Sequence, residues 1–477
     1  MSVTEQKQIA VLDPRTGKAE FMLDVADAAQ VKAKAAELRA RQPAWQALGV
    51  EGRVAVMRRW SEAWDQNRYG AAIGAADGRD TGGALARAVP GIVQGFIAAH
   101  TAGALAQYKS MFRSGTSPMP NVDYETVLKP FPLVGVISPW NAPTMLTMHR
   151  AILPLLAGCA VLVKPSEVTP RFVAPLKASL ADVPELAAVF DFIHGDGSTG
   201  AAVVDHVDFI SFTGSMPNGR KVAQACAGRF IPCEVELGGK DPLVVTASAN
   251  LDDAVSATMR GALSGTGQVC FSIERVYVER PMHDRFVAAL VERCSHVRLR
   301  HPDREVGELG PFTMRRQGAI VDDHLDDALA KGAKIVVGGK SFELDGGVYM
   351  RPTILTNVTH DMRIMREETF GPVIPVMAYD TPDQAVALAN DTDFGLSAAV
   401  MAGSIEEAKA IGARINAGNV SIQDAFLTFA AAPAESDSFG ASGLGGKRTG
   451  IQRYLKRQAL LVNTASPICL TAAARAA

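Results

Sequence analysis

Two carboxylates and a thiol carry the first chemical signal in the chain. The run Ile231-Pro-Cys-Glu-Val-Glu-Leu237 alternates. Ile231, Cys233, Val235 and Leu237 therefore share one face of a strand, and Glu234 and Glu236 the other. The strand ends at Gly238-Gly239-Lys240. A carboxylate at a strand end beside two glycines can act as a general base in a confined space; the plain alternative is a solvent-facing glutamate. Further on, Gly265-Thr-Gly-Gln-Val-Cys270 sets small residues ahead of a cysteine. An accessible thiol near backbone N–H groups can serve as a nucleophile, although a single cysteine is more often a small core residue. In Pro139-Trp140-Asn141 the Asn amide can donate to a developing oxyanion, or simply close an Asx turn.

Other short runs suit ligand binding. Lys164-Pro165-Ser166-Glu167 ends an apolar strand, where a carboxylate can accept two ribose hydroxyls; a solvated turn is the alternative. Phe212-Thr213-Gly214-Ser215 opens a helix, so its N–H groups and the Ser215 hydroxyl can hold a pyrophosphate, or Ser215 can merely cap. Gly195-Asp196-Gly197-Ser198-Thr199-Gly200 fits G-x-G-x-x-G, but Arg220-Lys221 stands where a ribose-binding acid belongs. Glu367-Glu368-Thr369-Phe370-Gly371-Pro372 precedes a strand and can position a cofactor or pack locally.

These runs need a scaffold, and the chain alternates strands with helices from about residue 130. Strands are expected at 133–138, 160–166, 189–195, 207–214 and 231–237, then at 242–246, 274–279, 333–339, 371–380, 396–402 and 418–424. Helices are expected between them at 169–180, 250–263, 285–294 and 404–415. Asn250 is placed to cap the helix over 250–263. Such alternation implies parallel pairing and an α/β class, in two successive units that break near residue 238. The first hundred residues read as mostly helical, and residues 120–135 as an extended piece with edge prolines.

Composition excludes more than it identifies. The 477 residues are 48% apolar and 21% charged, with a net charge of −2. This is globular material with no electrostatic case for nucleic acid or an acidic membrane surface. No apolar run of about 18 residues stands out as a spanning helix. Six scattered cysteines form neither a disulfide framework nor a zinc pattern, so no metal is expected. A reduced cytoplasmic protein with a frayed TAAARAA tail is the expectation.

In their order, PWN (139–141), KPSE (164–167), FTGS (212–215), ELGGK (236–240), GQVC (267–270), EETFGPV (367–373) and NDTDFGLSAAV (390–400) resemble the aldehyde dehydrogenase superfamily over nearly the whole chain. The resemblance implies a Rossmann-type cofactor domain over 1–110 and 131–237. It also implies an α/β catalytic domain over 238–450, and a β-arm over 111–130 and 451–466 that builds a homodimer or homotetramer. It implies Cys270 as nucleophile, Glu236 as general base and Asn141 as oxyanion donor. The implied cofactor is NAD, with NADP open, held by Trp140, Lys164, Ser166, Glu167, Gly197, Phe212, Gly214, Ser215, Leu237, Glu368 and Phe370. GDGSTG then reads as a structural turn near the cofactor. The implied reaction oxidises a small aldehyde to a carboxylic acid through a thiohemiacetal and a thioester.

The chain departs from the family pattern in two places. Gly265 stands where an Asn is usual, and Ser438-Phe439-Gly440-Ala441-Ser442-Gly443-Leu444-Gly445-Gly446-Lys447 is a shortened or rearranged C-terminal run. Met145, His149, Val269 and Phe271 suggest an apolar pocket for an aromatic or other apolar aldehyde. Arg150 would instead suit an anionic semialdehyde. A CoA-acylating enzyme is the other redox reading, disfavoured by Glu236, and a non-enzymatic binding protein on the same fold is disfavoured by the catalytic trio. Glu167 favours NAD, because a carboxylate repels a 2′-phosphate.

Overall fold

The computed structural model describes residues 7–66, 69–83, 88–429, 435–445 and 450–466. Gly446, Lys447, Cys469 and the expected frayed tail lie outside them. Each expected strand forms. Five lie parallel in one sheet, in the order Cys233–Glu236, Phe209–Thr213, Leu133–Ile137, Ala160–Lys164, Phe190–Phe192. Three of these, Leu133–Ile137, Ala160–Lys164 and Phe209–Thr213, are buried at every position, as parallel strands covered on both faces must be. The chain starts in the middle of this sheet and builds outward first one way, then the other. The reversal falls between Leu133–Ile137 and Phe209–Thr213. Open α/β sheets bind ligands outside the carboxyl ends of the strands at such a point.

A second sheet has the order Lys334–Val337, Thr353–Thr356, Val373–Tyr379, Ile273–Glu279, Asp241–Val245, Ser397–Met401, Asn419–Ile422. It is parallel except at its Lys334–Val337 edge. Separate apolar cores cover its two faces, one around Tyr277, Leu325 and Met365, the other around Leu243, Phe286 and Leu290. The helix Leu251–Leu263 begins as expected, with the Asn250 side chain accepting from the Asp253 N–H. The break expected near residue 238 is also where the chain changes sheets. Cys233–Glu236 belongs to the first and Asp241–Val245 to the second, joined by only Leu237–Lys240.

The N-terminal region is mostly helical as expected, but it opens with an antiparallel hairpin of Gln8–Leu12 and Ala19–Asp24 before the first helix, Ala28–Ala47. Its turn is Asp13-Pro14-Arg15-Thr16-Gly17, closed by the Gly17 N–H donating to the Asp13 carbonyl at 2.8 Å. Glu234, on the same strand face as Glu236, is 2% exposed. The expectation that no segment could span a membrane needs correction. One helix, Val89–Ser110, is long and apolar enough by length and composition to cross a membrane. Here Val93, Ile97 and Ala104 form a buried stripe within the core of the first sheet. The segments expected to form an arm contribute Ser114–Thr116, Val122–Pro130 and Leu455–Asn463, a three-stranded antiparallel sheet whose last strand is exposed beyond Leu455.

Candidate active site

A cavity of about 670 Å³ opens at the carboxyl ends of the first sheet, where the strand order reverses. Trp140 and Asn141 reach it from the end of Leu133–Ile137, and Lys164, Ser166 and Glu167 from the end of Ala160–Lys164. Phe212, Gly214 and Ser215 line it after Phe209–Thr213, with Gly197 and Leu237 beside them. The opposite wall carries Cys270, Glu368 and Phe370 from segments that precede strands of the second sheet. Every residue expected to touch a cofactor therefore lines one cavity, together with Asn141 and Cys270. Glu236 does not line it; its carboxylate pairs with Arg150. Lys221, Arg316 and Gln317 also line the cavity and carried no signal in the sequence.

Local geometry decides between the alternatives left open above. Ser215 is the N-cap residue of the helix Met216–Gly228, yet its side chain makes no capping bond. Its hydroxyl therefore has no capping duty and lines the cavity. Asp196 does cap: it accepts from the Ser198 N–H and pairs with Lys7, so GDGSTG is a structural turn. Lys164 Nζ and Glu167 Oε2 pair at 2.7 Å. Trp140 and Phe370 meet edge to face with centroids 5.4 Å apart.

The loop before Cys270 is held tightly. Gly265, Thr266 and Gly267 all have φ between 62° and 70°. Asn and Gly are the residue types that enter this left-handed region most readily, so Gly265 keeps the turn that an Asn would make. A Cβ on Gly267 would lie 2.2 Å from the Gly371 carbonyl oxygen. Gln268 Nε2 donates to the Gly265 carbonyl at 3.2 Å, and its Oε1 accepts from the Thr313 N–H at 3.0 Å. Asn141 Nδ2 donates to the Gln268 carbonyl at 2.9 Å. This is no Asx turn: one amide hydrogen ties the two walls together, and the second remains for another acceptor.

The thiol of Cys270 lines the cavity from a loop surrounded by acidic side chains. Burial pushes its pKa well above the ordinary value, and the carboxylates of Glu368, Asp241 and Glu236 add to the effect. Glu368 is pushed up to about 8, first by burial and then by Glu274. Its carboxylate sits against Gly238, and its Oε1 accepts from the Gly239 N–H at 3.3 Å. A Cβ on Gly239 would lie 2.6 Å from the Cys270 carbonyl oxygen, so these backbones meet only because residue 239 is glycine.

Sequence reading missed the pair that supports this wall. Lys240 Nζ meets Glu274 Oε2 at 2.6 Å and donates to Thr369 Oγ1 at 2.9 Å. Glu274 in turn accepts from the Thr369 and Phe370 N–H groups, each at 2.8 Å. Gln317 Nε2 donates to the Thr369 carbonyl at 2.8 Å. No local motif marks Glu274, which sits inside an apolar strand; only the neighbouring Lys240 hinted at a partner.

The altered C-terminal run is built in. Ser442 supplies its carbonyl to the Leu237 N–H at 2.9 Å and its hydroxyl oxygen to the Gly395 N–H at 2.9 Å. Gly443 pairs with Glu236 across the sheet edge. Arg150 corrects another expectation. Its guanidinium lies 3.3 Å from both Glu234 and Glu236, so it is already paired and does not stand as a free cation for an anionic substrate. Phe271 is buried with its ring 4.9 Å from that of Phe426, while the rings of His149 and Phe96 meet at a tilt with centroids 5.1 Å apart. Among the described residues, no group of three or more His, Cys, Asp or Glu is placed to hold a metal ion.

A cleft at the switch point of a parallel sheet, closed by a wall that carries a thiol and buried carboxylates, fits a nucleotide-dependent oxidoreductase as its class. The chain belongs to the aldehyde dehydrogenase family, whose model matches residues 2–460. It is 36% identical over 450 residues to a protein named "Putative succinate-semialdehyde dehydrogenase", NADP(+), from Mycolicibacterium smegmatis, covering 93% of this chain and 86% of that one. It is 38% identical over 340 residues to the 4,4'-diapolycopene aldehyde oxidase of a Methylomonas species, covering 70% and 61%. Among solved structures, "Putative Aldehyde Dehydrogenase PutA" from Anabaena variabilis is 44% identical with a TM-score of 0.92, covering 97% of this chain and 99% of that one. Betaine aldehyde dehydrogenase from Staphylococcus aureus, in complex with NAD+, is 27% identical with a TM-score of 0.90, covering 97% and 93%.

Proposed function

We propose that the protein oxidises an apolar or aromatic aldehyde to its carboxylic acid with NAD, through a thioester on Cys270. The observation that carries this reading is the placement of Cys270, Asn141 and Glu368 at one end of a cleft whose other end holds Lys164 and Glu167. The residues fit the cofactor: Lys164 and Glu167 would bind the adenine ribose, Gly214 and Ser215 the pyrophosphate, and Glu368 and Phe370 the nicotinamide ribose and ring. The complex of the Staphylococcus aureus relative with NAD+ supports that assignment. When bound, NAD supplies the hydride acceptor.

The chain's own residues perform the other steps. Cys270 gives its proton to water in the cleft, and its sulfur adds to the aldehyde carbon as the carbonyl electron pair moves to oxygen. The second amide hydrogen of Asn141 and the Cys270 N–H stabilise the oxyanion. Loss of hydride leaves a thioester. Glu236 then takes a proton from water as the hydroxyl adds, and the thiolate departs, releasing the acid. The pairing of Arg150 with Glu234 and Glu236, which removes it as a free charge for an anionic substrate, supports an apolar one. An anionic semialdehyde is the second reading, favoured by the name of the Mycolicibacterium smegmatis relative. The exposed strand Leu455–Asn463 suits pairing with a second copy, in a homodimer or homotetramer.

The test is NADH formation across benzaldehydes, aliphatic aldehydes and carboxylated semialdehydes, with NAD and with NADP, followed by identification of the product. Benzaldehydes or aliphatic aldehydes should be turned over fastest, with NAD, yielding free acid. Faster turnover of carboxylated aldehydes would replace the apolar reading with the anionic one. Cofactor affinity should also depend on pH. Glu368 holds its proton up to about 8, and only the ionised form can accept two ribose hydroxyls. NADH binding, followed by fluorescence, should tighten by about tenfold as pH rises through that value and then level off. Glu368→Gln should bind weakly with no such pH dependence.

A further inference from the structure

Behind Glu236, away from the cavity, lies a buried charge cluster. Arg150, on the helix Pro143–Ala157, sets Nη2 3.3 Å from Glu236 Oε1 and Nη1 3.3 Å from Glu234 Oε1. Glu234 is fixed on several sides. It accepts from Ser211 Oγ at 2.7 Å and from the Tyr454 hydroxyl at 2.9 Å, and it pairs with Arg453. Glu236 is held differently. Its Oε1 is buried without an aligned hydrogen bond, so its tie to Arg150 is an ion pair alone. Two guanidinium groups face two carboxylates, which balances the charge of the cluster.

We propose that Arg150, pinned from behind by Glu234, is the positioning residue of the general base, keeping Glu236 aimed while leaving its carboxylate free to move. The inference rests on the reading of Glu236 as the base. A guanidinium cannot give up its proton in a protein, so Arg150 acts through charge and placement and not as a proton relay. The groups that face Glu236 are Arg150 from its helix, Glu234 on its own strand with Arg453 and Tyr454 behind it, and Cys270 from the nucleophile loop. Without Arg150, the Glu236 carboxylate would stand beside that of Glu234 with no cation between them, and like charges side by side disfavour each other.

The test separates the first turnover from the steady state in the full-length protein. In Arg150→Met, NADH formation in the first turnover should stay within about twofold of wild type. Steady-state kcat should fall by about tenfold or more, and the acid limb of its pH profile should move upward by about one unit. Arg150→Lys, which keeps the charge, should recover most of kcat. Glu234→Gln should move the acid limb the opposite way, because Arg150 then pairs with Glu236 alone. That variant decides the matter if Arg150→Met does not fold. An unmoved acid limb in both variants, or equal losses in first turnover and steady state, overturns the role of Arg150. Glu236→Gln is the control for the underlying reading. If it slows the first turnover as much as the steady state, the base assignment itself fails. If it separates the two phases and Arg150→Met does not, only the role of Arg150 fails.

Discussion

Cys270→Ala is expected to abolish turnover of every aldehyde, by about 10⁴-fold or more, while NADH still binds with its wild-type affinity. The separation follows from how the loop is built. Its shape depends on the left-handed residues 265–267, on the Gln268 side chain and on the Asn141 bond to the Gln268 carbonyl, none of which uses the thiol. Removing the sulfur therefore removes the bond-forming atom and leaves the cleft standing. NADH production and NADH fluorescence titration on the same preparation provide the two readouts. Residual turnover above about 1% of wild type would show that the reaction does not pass through this thiol.

Lys240→Met should be the most damaging change to the fold around the site. Lys240 and Glu274 are almost fully enclosed, and burial already lowers the Lys240 pKa against the pull of Glu274. Taking away the cation leaves a buried carboxylate uncompensated, at a cost of about 3–5 kcal/mol. The carboxylate of Glu274 also holds the Thr369 and Phe370 N–H groups. The variant should accordingly lose affinity for NAD as well as stability. Replacing both partners, Lys240→Met with Glu274→Leu, should restore much of the stability but not the affinity, because the N–H groups still lack their acceptor. Urea unfolding of the single and double variants checks the first part. A single variant within about 1 kcal/mol of wild type would mean that solvent reaches the pair.

Alternation and end signals made the two sheets legible, because buried parallel strands are short apolar runs that end at Gly, Pro or Ser. The candidate site was legible because its residues lie at strand ends, where the order of motifs betrays them. Less visible was anything set by contacts distant in sequence. Glu274 lies within Ile273–Glu279 and looks like any polar interruption of a strand until Lys240 is seen against it. Glu234 follows the same alternation as Glu236, yet Arg150, Arg453 and Tyr454 come from elsewhere to bury it. The N-terminal hairpin was overlooked for a different reason. Its strands are short and largely exposed, so apolar alternation is weak, and only the turn residues mark it. Phe342–Leu344 and Gly347–Tyr349 are only three residues each, and their Asp345-Gly346 turn, with φ of 48° and 89°, was a hairpin signal left unread.

The four residues that carry the chain from one sheet to the other put Glu236 and Cys270 on opposite sides of a joint. Asn141 and Gln268 form a latch across the same gap. The two sheets are therefore tied twice over a short distance, once by the covalent chain and once by a single amide hydrogen bond.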